Sequence, residues 1–332
     1  MSLSRLDYID HLLKHQSRKP LKPQGCAFAP INIALCKYWG KRDVTLNLPL
    51  TSSLSIALPQ LGTRTTVSVI AGTADQVILN GERCSPESVF AQKITAFLDI
   101  FRPEEKWHLL VDTVSDVPVA AGLASSASGF AALVLALADI CAWTVDKQTL
   151  SLIARLGSGS ACRSLWTGFV YWEAGHLENG MDSYAYPLGH DFPDLRIGLL
   201  IFHQEAKPLS SRVAMQQTVE TSSLYQSWPQ QVSASLTAIQ TAIEKQDFEG
   251  LGAASEHNAL SMHATMLSAW PPISYSTPET LIAMQRIWAL RRVGLPLYFT
   301  QDAGPHLKLL FMAKNQAEIL THFPSLQVIA PF

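Results

Sequence analysis

Three stretches of this 332-residue chain have residue types and spacings suited to work on phosphates and carboxylates. The first runs Pro118-Val-Ala-Ala-Gly122-Leu123-Ala124-Ser125-Ser126-Ala127-Ser128-Gly129. Small residues let a backbone approach a polyphosphate closely, and the free N–H groups and dipole of a following helix favour negative charge there. Ser125 and Ser126 can donate hydroxyl hydrogen bonds or reach a magnesium ion. An ordinary serine-rich helix cap accounts for the same residues equally well. The stretch is not a Walker A loop, because no Gly-Lys-Ser/Thr follows. The second stretch is Gly157-Ser158-Gly159-Ser160-Ala161-Cys162-Arg163-Ser164. Two glycines at roughly 1 kcal/mol each are costly in an ordinary helix, so the spacing predicts a tight loop with Arg163 beside it. The third is Asp302-Ala-Gly304-Pro305. Reactive groups are often placed where an element ends, yet the same residues are also good turn chemistry.

The elements that must hold these residues can be read from periodicity. Arg64–Ile70 and Gln76–Leu79 are β-type runs, and Asn80-Gly81 is a turn signal after the second. Pro86 opens a helical pattern in which Val89, Phe90, Ile94, Phe97 and Phe101 recur at helical spacing. Trp107–Val114 reads as a strand, and the serine-rich loop then leads into a long apolar helix. Thr149–Arg155 is predicted helical and Phe169–Glu173 a strand. Leu195–Phe202 reads as a buried strand, followed by helices over Ser210–Glu220, Gln230–Gln246 and Thr280–Arg292. Pro296–Thr300 and Lys308–Met312 read as strands. The pattern is α+β, with domains expected over residues 1–190 and 191–332 and no internal repeat or long linker.

Composition narrows the class. Apolar residues are 48% of the chain and charged residues 16%, with net charge −2, which describes a core-rich globular protein. Nothing marks nucleic acid or a membrane as the main partner, so an anionic substrate must meet a local basic cluster. The apolar run Phe130–Ala138 is shorter than the ~20 residues of a membrane span. Residues 1–24 have no secretory pattern and read as a short helix or arm. Cys26, Cys36, Cys84, Cys141 and Cys162 contain no Cys-x-x-Cys pair, which fits free thiols in a reducing cytoplasm.

The serine loop resembles the ATP loop of the galactokinase, homoserine kinase, mevalonate kinase and phosphomevalonate kinase (GHMP) superfamily. Four blocks are similar to those of diphosphomevalonate decarboxylases: Ala29-Pro-Ile-Asn32-Ile-Ala-Leu-Cys-Lys37-Tyr38-Trp39-Gly40-Lys41-Arg42-Asp43, the Gly157–Ser164 stretch, Met262-His263-Ala264-Thr265 with Pro271-Pro272-Ile273, and Asp302–Pro305. They occur in the family's order and span about residues 26 to 312. The resemblance implies a two-domain GHMP kinase fold, with an N-terminal domain like domain 2 of ribosomal protein S5 and a ferredoxin-like C-terminal domain. It implies Mg-ATP, a homodimer, and conversion of mevalonate 5-diphosphate to isopentenyl diphosphate through phosphorylation of the 3-hydroxyl.

Carried over residue by residue, the resemblance gives Asp302, Lys37 and Arg163 to catalysis. Asn32, Tyr38, Lys41, Ser158, Ser160, Arg163, Ser211 and Arg212 fall to the substrate. Pro118, Gly122, Leu123, Ala124, Ser125, Ser126, Ala127 and Ser128 fall to ATP, and Ser126 also to magnesium. His263 belongs to a family marker block, but a structural role under the Pro-Pro loop accounts for it equally well and it is left out of the catalytic set; Trp39 is read as packing. The chain departs from the family pattern at Ser115-Asp116-Val117, at Gln301 and at His306. A negative charge such as Asp116 is unfavourable beside a triphosphate unless it faces solvent or magnesium. Competing readings are a mevalonate 3-kinase, an enzyme that decarboxylates the monophosphate, and a ligand-sensing protein without turnover.

Overall fold

The computed structural model describes residues 4–102, 107–116, 125–202 and 209–332. Helix α1 (Arg5–Leu12) starts in a capping box, with Ser4 and Asp7 each bonding the other's backbone N–H, and buries Tyr8 and Ile9. Strand β1 (Gln24–Cys36) is followed by the short hairpin β2 (Lys41–Asp43) and β3 (Leu48–Pro49), then by β4 (Ser53–Ile70). Strand β5 (Gln76–Leu79) turns into β6 (Glu82–Arg83) at Asn80-Gly81, both at positive φ, as a two-residue hairpin requires. Helix α2 (Val89–Leu98), strand β7 (His108–Ser115), helices α3 (Ser125–Ile140) and α4 (Lys147–Gly157), and strands β8 (Phe169–Trp172) and β9 (Ala185–Pro187) complete the first half. The sheet order is β6-β5-β7-β4-β8-β9, with β1 paired antiparallel to β4 along nearly its whole length.

The second half runs β10 (Leu195–Leu200), α5 (Ser211–Thr221), α6 (Trp228–Glu244), α7 (Phe248–Leu267), α8 (Pro278–Arg292), β11 (Tyr298–Gln301), β12 (Leu307–Met312), α9 (Gln316–His322) and β13 (Gln327–Ile329). Its four strands lie in the order β11-β12-β10-β13, all antiparallel. The first strand therefore sits between the third and the fourth, the ferredoxin-like order. The chain is α+β, as expected, and most predicted elements appear within a few residues of their bounds. Besides α7, which the sequence reading lacks, two differ in substance. The run at Arg64–Ile70 is the end of a strand that begins at Ser53, and the site-bearing stretch before Lys37 is the long strand β1.

Two hydrophobic clusters form the core. One joins α1, α2, α3 and α4 to the first sheet through residues such as Tyr8, Phe97, Leu133 and Ile153. The other mixes both halves: Ile31, Ile33 and Leu35 of β1 and Leu54, Ile56 and Leu58 of β4 pack with Ile197, Ile239, Met262, Leu297 and Phe299. This shared cluster fixes β1 against α7 and β11, and so sets Lys37 opposite Asp302. Among the described residues no helix is long and apolar enough to cross a membrane.

Candidate active site

Asp302 leaves β11 as that strand ends, and its surroundings fix the backbone before any charge is considered. Glu256 on α7 accepts from the Phe299 N–H at 3.2 Å and Trp288 Nε1 at 2.8 Å, and pairs with Arg291 at 2.5 Å. That ties β11 to α7 and α8. The turn after β11 is closed by Gly304 N–H on the Asp302 carbonyl (2.7 Å) and by the Gln301 amide, which donates to Gly304 O at 2.9 Å and Ser276 Oγ at 3.1 Å. Gln301, one of the departures from the family pattern, serves as a buried brace of the turn. His263 Nε2 lies 3.2 Å from the Asp302 carbonyl, a contact that requires the Nε2–H tautomer. Burial first, then Lys37, lowers His263 to about 4, so the ring is neutral and holds backbone.

The carboxylate of Asp302 is clamped from both sides. Lys37 Nζ lies 2.6 Å from Oδ1 and Lys308 Nζ 3.0 Å from Oδ2, and the two lysines are 2% and 1% exposed. Lys37 is itself fixed, donating from Nζ to Ala34 O at 2.9 Å and from its backbone N–H to Asn258 Oδ1 at 2.7 Å. Burial alone would raise the Asp302 carboxyl. Lys308 and then Lys37 overcome that and hold it well below the usual carboxylate range. Burial lowers Lys37 to about 8 against the opposing pull of Asp302.

Arg163 faces this group from the first half. It sits at the end of a single 3-10 turn, Gly159–Arg163, and is 3% exposed. Its Nε and Nη2 donate to Asn32 Oδ1 at 3.3 Å, its Nη1 donates to Ser53 Oγ, and the guanidinium lies over the Trp172 ring. All these partners are neutral. Asn32 is in turn oriented by donating to Ser164 Oγ at 2.7 Å and Ser160 O at 3.3 Å. The glycines of this stretch serve close approach, where the sequence suggested a loop: a Cβ on Gly157 would meet the Phe130 ring at 2.2 Å, and one on Gly159 would meet Tyr38 at 2.9 Å.

Tyr38 packs edge-on to Trp172 at 4.8 Å, and its buried hydroxyl has no hydrogen-bond partner among the described residues. Lys41 Nζ donates to Asn47 Oδ1 at 2.7 Å; burial and then the Arg212 and Arg5 charges lower it to about 8. Arg212 and Ser211 form the first turn of α5, whose cap is Ser210. A cavity of about 670 Å³ brings Asp302, Lys37, Arg163, Asn32, Tyr38, Lys41, Ser158, Ser160, Ser211, Arg212 and Ser126 together. Its charged lining among the described residues is Lys37, Lys41, Lys93, Arg163 and Arg212 against the single carboxylate of Asp302. In a chain of net charge −2 this is a concentrated anion site. Another part of the wall is apolar, with Leu79, Phe90, Ile94 and Leu133.

The serine loop is placed only in part. Pro118, Gly122, Leu123 and Ala124 lie outside the described residues, as does the Ser125 side chain. Ser126 Oγ reaches the cavity, 3.5 Å from Ser158 Oγ. Ala127 and Ser128 are fully buried at the start of α3, with the Ser128 hydroxyl 2.7 Å from Thr63 Oγ1, a residue of the cavity wall. Asp116 is exposed, accepts from the Gly62 N–H at 3.0 Å, and is not among the residues lining the cavity. Among the described residues no three His, Cys, Asp or Glu side chains gather to hold a metal. A magnesium ion that arrives on a polyphosphate would need few protein ligands, and the Ser126 hydroxyl lines the cavity where it could serve as one.

Sequence reasoning did not single out Lys308, Lys93, Ser53 or Arg5, and it left His263 out of the catalytic set. Lys308 had a signal: a lone lysine opening the apolar strand Lys308–Met312. His263 had none, because a neutral histidine that holds a carbonyl looks the same in sequence as one in a core.

Comparison with known proteins agrees with this geometry. Residues 29–185 match the diphosphomevalonate decarboxylase-like N-terminal domain, and residues 197–329 the mevalonate 5-diphosphate decarboxylase C-terminal domain. The diphosphomevalonate decarboxylase of Aspergillus fumigatus is 40% identical over 312 residues, 86% of this chain and 76% of that protein. The crystal structure of mevalonate diphosphate decarboxylase from Staphylococcus aureus superposes with TM-score 0.87 at 38% identity, over 93% of this chain and 95% of that one. A relative solved in complex with MVAPP, AMPPCP and magnesium superposes with TM-score 0.86 at 39% identity, over 92% and 95%. With both halves matched in order and the cavity residues in place, the chain belongs to the diphosphomevalonate decarboxylase family.

Proposed function

We propose that the cavity carries out the family reaction on mevalonate 5-diphosphate: with ATP it yields isopentenyl diphosphate, ADP, phosphate and CO2. The observation that carries this is the buried Arg163, whose hydrogen-bond partners among the described residues are all neutral and which faces a carboxylate clamped by two lysines. A buried cation without a counter-charge is costly unless an anion completes it. Mg-ATP, when bound, supplies the phosphoryl group that turns a poor leaving group, hydroxide, into a good one.

The protein's own part is positioning and charge. Asp302, held ionised and therefore weakly basic, accepts the hydrogen bond of the 3-hydroxyl and aligns it; a loose phosphoryl-transfer transition state asks for little more. The same carboxylate offers negative charge as a tertiary carbon becomes positive. Lys37 and Lys308 keep it in place. The planar fork of Arg163 suits bidentate binding of the departing carboxylate or a phosphate. Tyr38, Lys41, Ser211 and Arg212 take the remote diphosphate, with Ser158 and Ser160 as neutral donors. Ser126 takes the polyphosphate of the nucleotide, and the apolar wall receives its base.

The test is purified protein with Mg-ATP and, in turn, mevalonate, its 5-phosphate and its 5-diphosphate. Isopentenyl diphosphate from the diphosphate alone is the expected result. CO2 from the monophosphate, or ATP binding without turnover, would replace this reading with another. Two domains that meet near residue 190 belong to the same proposal, supported by family models that leave residues 186–196 between them. A cytoplasmic homodimer rests on the resemblance, and light scattering on the purified protein tests its dimer part.

A further inference from the structure

Apart from Lys93, the cations in and around the cavity fall into two electrostatic groups. Lys37 feels both Lys308 and Arg163, and Lys37 and Arg163 each feel Asp302. Lys41 and Arg212 form a second group with a residue that does not line the cavity, Arg5. Tyr38 lines the cavity together with Arg163 and Arg212 and feels the charges of both.

Arg5 is held there by construction. It opens α1, whose Tyr8, Ile9 and Leu13 are almost completely buried. Tyr8 donates to Gly180 O at 3.1 Å and accepts from Arg155 Nη2 at 2.7 Å. Arg155 belongs to α4, whose last carbonyls at Arg155 and Leu156 are bonded by Asn47, the same side chain that accepts from Lys41. Arg5 Nε donates to Thr45 O at 2.6 Å, in the turn between β2 and β3 that also carries Asn47. That carbonyl is the only hydrogen-bond partner of the guanidinium among the described residues. Burial and then Arg212 lower Arg5, and Asp43 only partly offsets them. Crowding three cations with one neighbouring carboxylate is unfavourable in the empty protein, and a polyanion relieves it. The whole of α1 also precedes residue 29, where the match to the family's N-terminal domain begins.

We propose that Arg5, carried by the N-terminal helix, is a third cationic contact for the phosphate end of the substrate and raises this enzyme's affinity for it. The proposal rests on the function proposed above. The test uses the full chain with Arg5→Gln and Arg5→Lys, reading the KM for mevalonate 5-diphosphate, the KM for ATP, and the Kd of inorganic pyrophosphate by calorimetry. Arg5→Gln is expected to raise the substrate KM and the pyrophosphate Kd by the same factor, about tenfold, as for one charge-assisted contact at a half-buried site. The KM for ATP and the thermal midpoint should stay put, and Arg5→Lys should restore most of the binding. The proposal is overturned if Arg5→Gln leaves both values within about twofold. It is also overturned if glutamine and lysine lose binding alike, because the Thr45 bond would then be all that matters. A parent protein that makes no isopentenyl diphosphate would sink the functional reading instead; the pyrophosphate titration would still decide on Arg5.

Discussion

At the scale of single residues, the site is an argument about charge. Asp302→Asn keeps size and one oxygen but loses the negative charge. Product formation is expected to fall at least about 10²–10³-fold, the loss for removing one preorganised electrostatic group, while the protein stays folded and binds ATP. An ADP burst with accumulation of a 3-phosphorylated intermediate would move Asp302 to the decarboxylation step. Lys308→Met removes one jaw of the clamp with little change in volume. The expected loss in kcat is about tenfold or more, smaller than for Asp302→Asn because Lys37 still holds Oδ1 at 2.6 Å; unchanged kinetics would make Lys308 a bystander. Lys41 gives the pH dependence. Its folded pKa, about 8, lies below its ordinary value of 10.5, so the cation is lost as pH rises through about 8. The KM for mevalonate 5-diphosphate should therefore climb above that pH, and Lys41→Arg should move the climb to higher pH, because a guanidinium stays charged. Asp302 behaves oppositely. Its depressed value gives stability that is complete above the ordinary 3.8 and fades only as pH falls toward the folded value.

At the scale of elements, α7 shows what the sequence could and could not reveal. The strands and helices that bury a plain apolar stripe, such as β5, β7, α2 and α8, were legible because periodicity tracks burial. Helix α7 was not, because its buried residues include Ser255, Glu256, Asn258, His263 and Thr265. Those polar residues blur the pattern for a functional reason: Asn258 holds Lys37, His263 holds Asp302, and Glu256 holds β11. Family motifs identified Asp302, Lys37 and Arg163, while Lys308 is a contact between a strand and a turn that no short motif encodes. Glu256→Gln should therefore lower stability and activity together. The loss is expected at about 2 kcal/mol, since a buried charged partner of Arg291 is removed while some hydrogen bonds survive. Thermal unfolding with parallel kinetics checks this; a stability loss with unchanged kcat would show that α7 does not position the turn.

At the scale of the whole molecule, the two halves are joined through β1 and β4, whose apolar residues complete the second core. That arrangement places reacting groups from β1, the Gly159–Arg163 turn and the turn after β11 around one cavity, and it predicts a single cooperative unfolding transition. A chain cut near residue 190 should leave Ile31, Ile33, Leu54, Ile56 and Leu58 exposed, and the first half alone should aggregate or bind hydrophobic dyes. The central claim is that this cavity couples phosphorylation of a tertiary alcohol to loss of CO2. The most direct measurement is a single-turnover quench with enzyme in excess of mevalonate 5-diphosphate and Mg-ATP present, following ADP, CO2 and isopentenyl diphosphate together. The account predicts that all three form in equal amounts, with ADP appearing no later than CO2. ADP without CO2, or CO2 without ADP, would contradict it.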